Sequence, residues 1–187
     1  SGKGVPASLF MAITRSLFRT LSQHVLSPAK IVTEMNNSIS DNNESNMFVT
    51  LIVGILDLET GILKLCNAGH NPPILIYPDG QVSYLEFKTQ IFVGVVEDFK
   101  YSDEEVVLEK ESKLFLYTDG VTEAENINKE LYGEEKLLEM LSDNASSDVR
   151  TTVNVVVGSI ASHVKEAEAS DDLTILLIQY EPGTANS

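Results

Sequence analysis

A chain of 187 residues, 43% of them apolar, is long enough for one compact domain with its own core and short for two. Its 28 acidic and 13 basic residues leave a net charge of −15, which excludes non-specific association with nucleic acid because the phosphate backbone would be repelled. The single cysteine, Cys66, excludes an intrachain disulfide, and no apolar run reaches the roughly 20 residues that a membrane-spanning helix needs. Cys66 lies in the apolar run 62–66 and reads as a buried thiol, so a cytoplasmic location is expected. Because the chain opens on Ser1 rather than methionine, a longer parent protein is expected, and whether that parent is membrane-anchored stays open.

Pro6 suits a first helical turn, and Leu9, Phe10, Ile13, Leu17 and Leu21 recur at three- and four-residue steps, predicting an amphipathic helix over residues 6–24. Ser27 and Pro28 form a cap and a first-turn proline, and Val32, Met35 and Ile39 continue a second helix, completing a helical hairpin. Past the polar break at residues 41–46, residues 47–57 are rich in Val, Ile and Leu, which predicts a strand buried on both faces. Strands follow at 62–68, at 73–77 and, past the Pro78-Asp79-Gly80 turn, at 81–87, read as an antiparallel meander, with two more around 106–108 and at 113–117. Helical periodicity returns at 134–142 and at 147–167, before a last strand at 173–180 and a flexible tail at 181–187. Helices, then strands, then helices and a closing strand predict the α+β class, with helices covering the faces of mainly antiparallel sheets.

Two acidic sites sit where apolar strands end. Asp119 follows the strand at 113–117, expected to be central and buried, and has the flexible Gly120 behind it. Asp171 and Asp172 precede the strand Leu173-Thr174-Ile175-Leu176-Leu177-Ile178, and the repulsion between them is what a hard cation would relieve. Brought to the same sheet edge, these oxygens suit Mg²⁺ or Mn²⁺ rather than zinc, whereas an Asp-Gly turn and a solvated loop remain the plain structural readings. His24 and His163 read as helix-surface residues, and His70 as a hydrogen-bonded loop residue in the rigid turn 67–73. No zinc-finger spacing, phosphate loop or Gly-x-Ser-x-Gly elbow is present, and Cys66 within a strand is no nucleophile.

Four segments occur in the order of one family's signature blocks: Ser1-Gly2-Lys3-Gly4-Val5-Pro6-Ala7, Asn67-Ala68-Gly69-His70-Asn71-Pro72-Pro73, Tyr117-Thr118-Asp119-Gly120-Val121-Thr122-Glu123-Ala124 and Asp171-Asp172-Leu173-Thr174. Over nearly its whole length the chain resembles PPM-type metal-dependent serine/threonine protein phosphatases, in the bacterial branch typified by the stage II sporulation protein E and stress-response phosphatases. The resemblance implies an αββα sandwich of two antiparallel sheets with two Mn²⁺ or Mg²⁺ ions at one edge. It also implies hydrolysis of phosphoserine or phosphothreonine in a regulatory protein, commonly an anti-anti-sigma-type partner in bacterial signalling, by in-line attack of a water activated by the cations. Carried over residue by residue, Asp119 and Asp171 are metal ligands and the catalytic residues, Asp172 is an adjacent candidate ligand, and Gly120 supports the tight turn. Asn67, Gly69 and His70 match a block near the site without an assigned step.

In this family the Ser-Gly-Lys-Gly run follows Gly-Asp-Val, whose aspartate bridges the metals, and two strands lie further upstream. Residues 1–180 are therefore expected to be a phosphatase domain lacking its amino-terminal strands, incomplete for catalysis alone and preceded by a sensor domain in the parent protein. This departure keeps a second reading open: a phosphatase-like module without activity that binds a regulator or a second copy of itself through the helices over residues 6–40. A third is a structural domain whose acids are surface charge only.

Overall fold

The computed structural model describes residues 4–41, 43, 46–167 and 171–182. Of the segments singled out above, Ser1-Gly2-Lys3, Asn42, Glu44, Ser45, Ser170 and the tail beyond Pro182 lie outside the described residues. The elements in chain order are α1 (Val5–Leu21), α2 (Pro28–Ser40), β1 (Leu51–Leu56), β2 (Ile62–Ala68), β3 (Ile74–Ile76), β4 (Val82–Tyr84), β5 (Glu104–Val107), β6 (Lys113–Tyr117), α3 (Glu134–Asp143), α4 (Val149–Val164) and β7 (Ile175–Gln179). They form two compact units, one of residues 1–70 and 87–107, the other of residues 71–86 and 108–187.

In the first unit, α1 and α2 accompany a three-stranded antiparallel sheet in the order β1-β2-β5. The start of α2 is fixed twice over. Ser27 Oγ accepts from the Lys30 amide at 3.2 Å and donates to Asp103 Oδ2 at 2.8 Å, while Asp103 Oδ1 accepts from the Ala29 amide, so amides that a helix leaves unpaired in its first turn are satisfied. Ile31, Val32, Met35 and Ile39 of α2 then pack with Val53, Cys66, Ala68, Val93 and Tyr101 into one core. Phe10, Leu17 and Leu21 of α1 lie against that core, whereas Val5, Leu9, Met11, Ile13 and Phe18 are exposed. The helix ends at Leu21, and His24 lies in the turn that follows rather than on the helix.

The expected two-sided burial of residues 47–57 is not found. Among the described residues β1 lies at the edge of its sheet, is shorter than expected, and has Val53 as its one buried residue. A run of Val, Ile and Leu suits a central strand, yet an edge strand whose pleat alternates toward solvent tolerates the same residues.

Cys66 is fully buried, and burial first, then the nearby Asp103 charge, push its thiol up to about 12, against the Gln90 amide donating to its sulfur at 3.8 Å. The thiolate is thereby suppressed, as the sequence reading of an inert cysteine requires.

The second unit holds a four-stranded antiparallel sheet in the order β4-β3-β6-β7, with α3 and α4. The expected meander is therefore broken: β2 and β3, consecutive in the chain, belong to different sheets, because short strands carry no local signal for which neighbour they will pair with. β6 is central, as expected from its apolar run, and Phe115, Tyr117, Ile74, Ile76 and Leu177 bury against Leu137, Leu141, Val156 and Ile160 of the two helices. The buried cation in this strand is Lys113, whose Nζ donates to the Ala145 carbonyl at 2.7 Å and the Ser147 carbonyl at 2.5 Å. Desolvation lowers its pKa, and the two carbonyls compensate the charge. Two antiparallel sheets flanked by helices are thus present, in the α+β class. No helix among the described residues is long and apolar enough to cross a membrane.

α4 begins at Asp148, whose carboxylate accepts from the Thr151 hydroxyl at 2.6 Å and the Thr151 amide at 3.0 Å, and these bonds hold its pKa below the ordinary value. A carboxyl lowered in the folded state stabilises fully above its unfolded pKa and loses that contribution as pH falls through the folded one. Asp148→Asn, which still caps but does not titrate, is expected to flatten the fall of the urea midpoint between about pH 5 and pH 3. Cys66 is expected to resist iodoacetamide at about pH 8 in the folded protein and to react in denaturant, as read by mass.

Candidate active site

The site is built by a register. β6 and β7 pair antiparallel from Lys113↔Gln179 to Tyr117↔Ile175, so the chain leaving β6 runs beside the chain entering β7. Thr118 continues the pairing: its amide donates to the Thr174 carbonyl at 3.1 Å, its hydroxyl donates to the Asp172 carbonyl at 3.3 Å, and that hydroxyl accepts from the Thr174 amide at 3.1 Å. Beyond it the Val121 amide returns to the Thr118 carbonyl at 3.0 Å and the Glu123 amide to the Asp119 carbonyl at 2.8 Å, closing a tight turn with Asp119 on its outside.

Gly120 is required here, though for a different reason than expected. Its backbone is not in the left-handed region, so conformational freedom is not what the turn needs. A Cβ at this position would run into the Asp172 carbonyl and meet the Leu173 amide nitrogen at 3.5 Å, so the glycine provides the space that lets the two acidic loops lie against each other. Asp119 and the Asp171-Asp172 pair, read separately in the sequence, therefore sit on neighbouring loops at one end of the β6–β7 pair.

Each carboxylate is oriented by the amide that follows it. Asp119 Oδ1 accepts from the Gly120 amide at 2.9 Å and Asp171 Oδ1 from the Asp172 amide at 2.8 Å. All three aspartates are exposed. Asp172 joins the arrangement through its carbonyl, which takes the Thr118 hydroxyl.

Asn67, Gly69 and His70 belong to the first unit. Asn67 Oδ1 accepts from the His70 amide at 2.8 Å and its Nδ2 donates to the His70 carbonyl at 3.0 Å, so this side chain brackets the turn. Gly69, at φ 74°, has the Phe92 ring where a side chain would project. His163 is more than a helix-surface residue, since its Nε2 meets the Glu130 carbonyl at 2.9 Å and its ring meets Tyr132 edge-on at 5.6 Å. Nothing in the spacing of these residues marks such long-range bonds in advance.

Among the described residues no three of His, Cys, Asp or Glu gather closely enough to hold a metal ion by themselves. The oxygen-only donors of the two loops nevertheless fit a hard cation of the Mg²⁺ type, which is commonly held by one or two carboxylates and keeps several waters, and their exposure leaves room for those waters.

A family model described as stage II sporulation protein E (SpoIIE) matches residues 1–181. The chain belongs to the SpoIIE family. It is a PPM-type phosphatase domain of that bacterial branch. It is 24% identical to the phosphoserine phosphatase RsbU of Bacillus subtilis over 179 residues, covering 95% of this chain and 52% of that protein. The curated relatives it matches are longer, and the chain spans between 32% and 52% of their length.

Among solved structures, the SiaA-PP2C domain of Pseudomonas aeruginosa has the same fold with a TM-score of 0.84 at 22% identity, covering 97% of this chain and 73% of that one. The Mn-presoaked phosphatase domain of the cell fate determinant SpoIIE from Bacillus subtilis matches with a TM-score of 0.62 at 15% identity, over 91% of this chain and 74% of that one.

Gly120→Ala is expected to push the Asp119 turn off the Asp172 carbonyl and to destabilise the fold by about 1–3 kcal/mol, read from urea denaturation.

Proposed function

We propose that this domain hydrolyses phosphoserine or phosphothreonine in a regulatory protein, with Mn²⁺ or Mg²⁺ as cofactor. The observation that carries this reading is the joining of the Asp119 loop to the Asp171-Asp172 loop through Thr118 and Gly120, in a member of the SpoIIE family. The name of a relative supports it, since RsbU is a phosphoserine phosphatase. The family resemblance adds an anti-anti-sigma-type regulator as the substrate and makes residues 1–180 the phosphatase domain of a longer, sensor-bearing parent, and the buried free thiol of Cys66 suits a cytoplasmic location.

Asp119 and Asp171 are the ligands and Asp172 the adjacent candidate. When bound, a divalent cation supplies water of lowered pKa and neutralises charge on phosphoryl oxygens. The chain's own part is to hold paired negative charge in a fixed place. The Gly120 and Asp172 amides orient the carboxylates before any ligand arrives, so little reorganisation remains at the moment of binding. Cys66, buried and with its thiol pKa raised, offers no competing nucleophile, which suits direct transfer of the phosphoryl group to water.

A second reading, a module that binds a regulator or a second copy of itself without turnover, is favoured by one observation: Val5, Leu9, Met11, Ile13 and Phe18 of α1 are exposed.

The test is phosphate release from a phosphoserine protein by the full-length parent. Activity is expected to vanish in chelator, to return with Mn²⁺, and to fall in Asp119→Asn by more than the roughly 10- to 100-fold typical of losing an outer-shell partner. Unchanged turnover in that variant would refute the assignment of the site, and tight partner binding without turnover by the wild type would establish the second reading.

A further inference from the structure

Thr118 stands beside the carboxylates and is itself no ligand. Its hydroxyl has one proton, which goes to the Asp172 carbonyl at 3.3 Å, while its oxygen accepts from the Thr174 amide at 3.1 Å. The Thr118 amide in turn donates to the Thr174 carbonyl at 3.1 Å. One half-buried residue thus bonds the segment 172–174 at both ends, where that segment has not yet entered β7 at Ile175. Regular strand pairing would pair these groups with backbone. Here the segment departs from strand geometry, and the side chain substitutes for the missing backbone partner.

From this geometry we infer that Thr118 is a positioning residue that sets the spacing between the Asp119 and Asp171 carboxylates and so the affinity for a divalent cation, an inference that rests on the metal-site reading above. Because its proton is committed to the Asp172 carbonyl, the hydroxyl is neither a nucleophile nor a proton donor to substrate. Removing it orphans two backbone groups at once, the Asp172 carbonyl and the Thr174 amide, and frees the loop that carries Asp171 from the loop that carries Asp119. Gly120 approaches the same Asp172 carbonyl from its own side, so the two residues hold one peptide group between them. The two contacts differ in kind: glycine permits the approach, and threonine fixes its distance and direction.

The test uses the full-length parent and Mn²⁺ as the probe, with affinity measured by isothermal titration calorimetry and by electron paramagnetic resonance of free Mn²⁺. Thr118→Val keeps the shape and removes the hydroxyl. It is expected to weaken Mn²⁺ binding by about 10- to 100-fold, the range seen when an outer-shell partner of a metal ligand is lost. Thr118→Ser keeps the hydroxyl and is expected to bind close to wild type, a rescue that a purely structural role for the methyl group would not produce. Should the valine variant not fold, Thr118→Ala against Thr118→Ser makes the same comparison, with the thermal midpoint of the metal-free protein as the check on folding. Wild-type affinity in the valine or alanine variant, or an equal loss in the serine variant, overturns the role given to the hydroxyl while leaving the metal site standing. Absence of Mn²⁺ binding by the wild type overturns the metal site itself, and this inference with it.

Discussion

The antiparallel register between β6 and β7 is the constraint on which the acidic site depends. Strand side chains alternate with a period of two, so a slip of one residue would turn Phe115 and Tyr117 out of the core and move Gly120 away from the Asp172 carbonyl. Burial on the helix-covered face of the sheet makes that slip costly. The hydrophobic core of the second unit therefore sets the position of charged groups at the sheet's end, although it contains none of them. Apolar packing supplies the free energy, and the end of the strand pair converts it into geometry.

The charge of the chain has a consequence for what such a site can accept. With a net charge of −15 and ion pairs such as Lys64–Glu105 and Lys129–Glu125 lying on the surface, where each is worth little, the field around the molecule is negative. That field concentrates divalent cations near exposed carboxylates and opposes the approach of a phosphorylated protein. On the function proposed above, a phosphoryl group would settle at Asp119 and Asp171 only once their charge had been more than balanced. Cofactor and substrate would then bind in order, and the acidity that deters nucleic acid would also recruit the metal.

Much of this was legible in the residues. Ser27 and Pro28 marked the start of α2, the apolar runs at 62–68 and 113–117 matched β2 and β6, and a central, buried β6 with an aspartate at its end followed from composition alone. What escaped depended on partners distant in the chain. Local periodicity does not say which strand pairs with which, so the break between β2 and β3 looked like one more hairpin. Asp103 supports the first turn of α2 from a position about seventy residues away, and no spacing rule reaches that far. Thr118 carried no signal of its own in the sequence, because a threonine beside Asp-Gly is equally at home in a loop, and its hydroxyl's two bonds to 172–174 exist only after β7 has docked. Gly120 was noticed for its flexibility, whereas its lack of a side chain is what the structure uses.

The opposite end of β6 shows a different division of labour. There the Lys113 ammonium binds the main-chain carbonyls of Ala145 and Ser147 and touches neither side chain through those bonds. A contact made to backbone is indifferent to residue identity, so a substitution in the loop between α3 and α4 that keeps the backbone path preserves both bonds, whereas replacing the lysine removes them. The strand is thus anchored at one end by a charge held on main-chain oxygens, while its other end runs into the loop that carries Asp119.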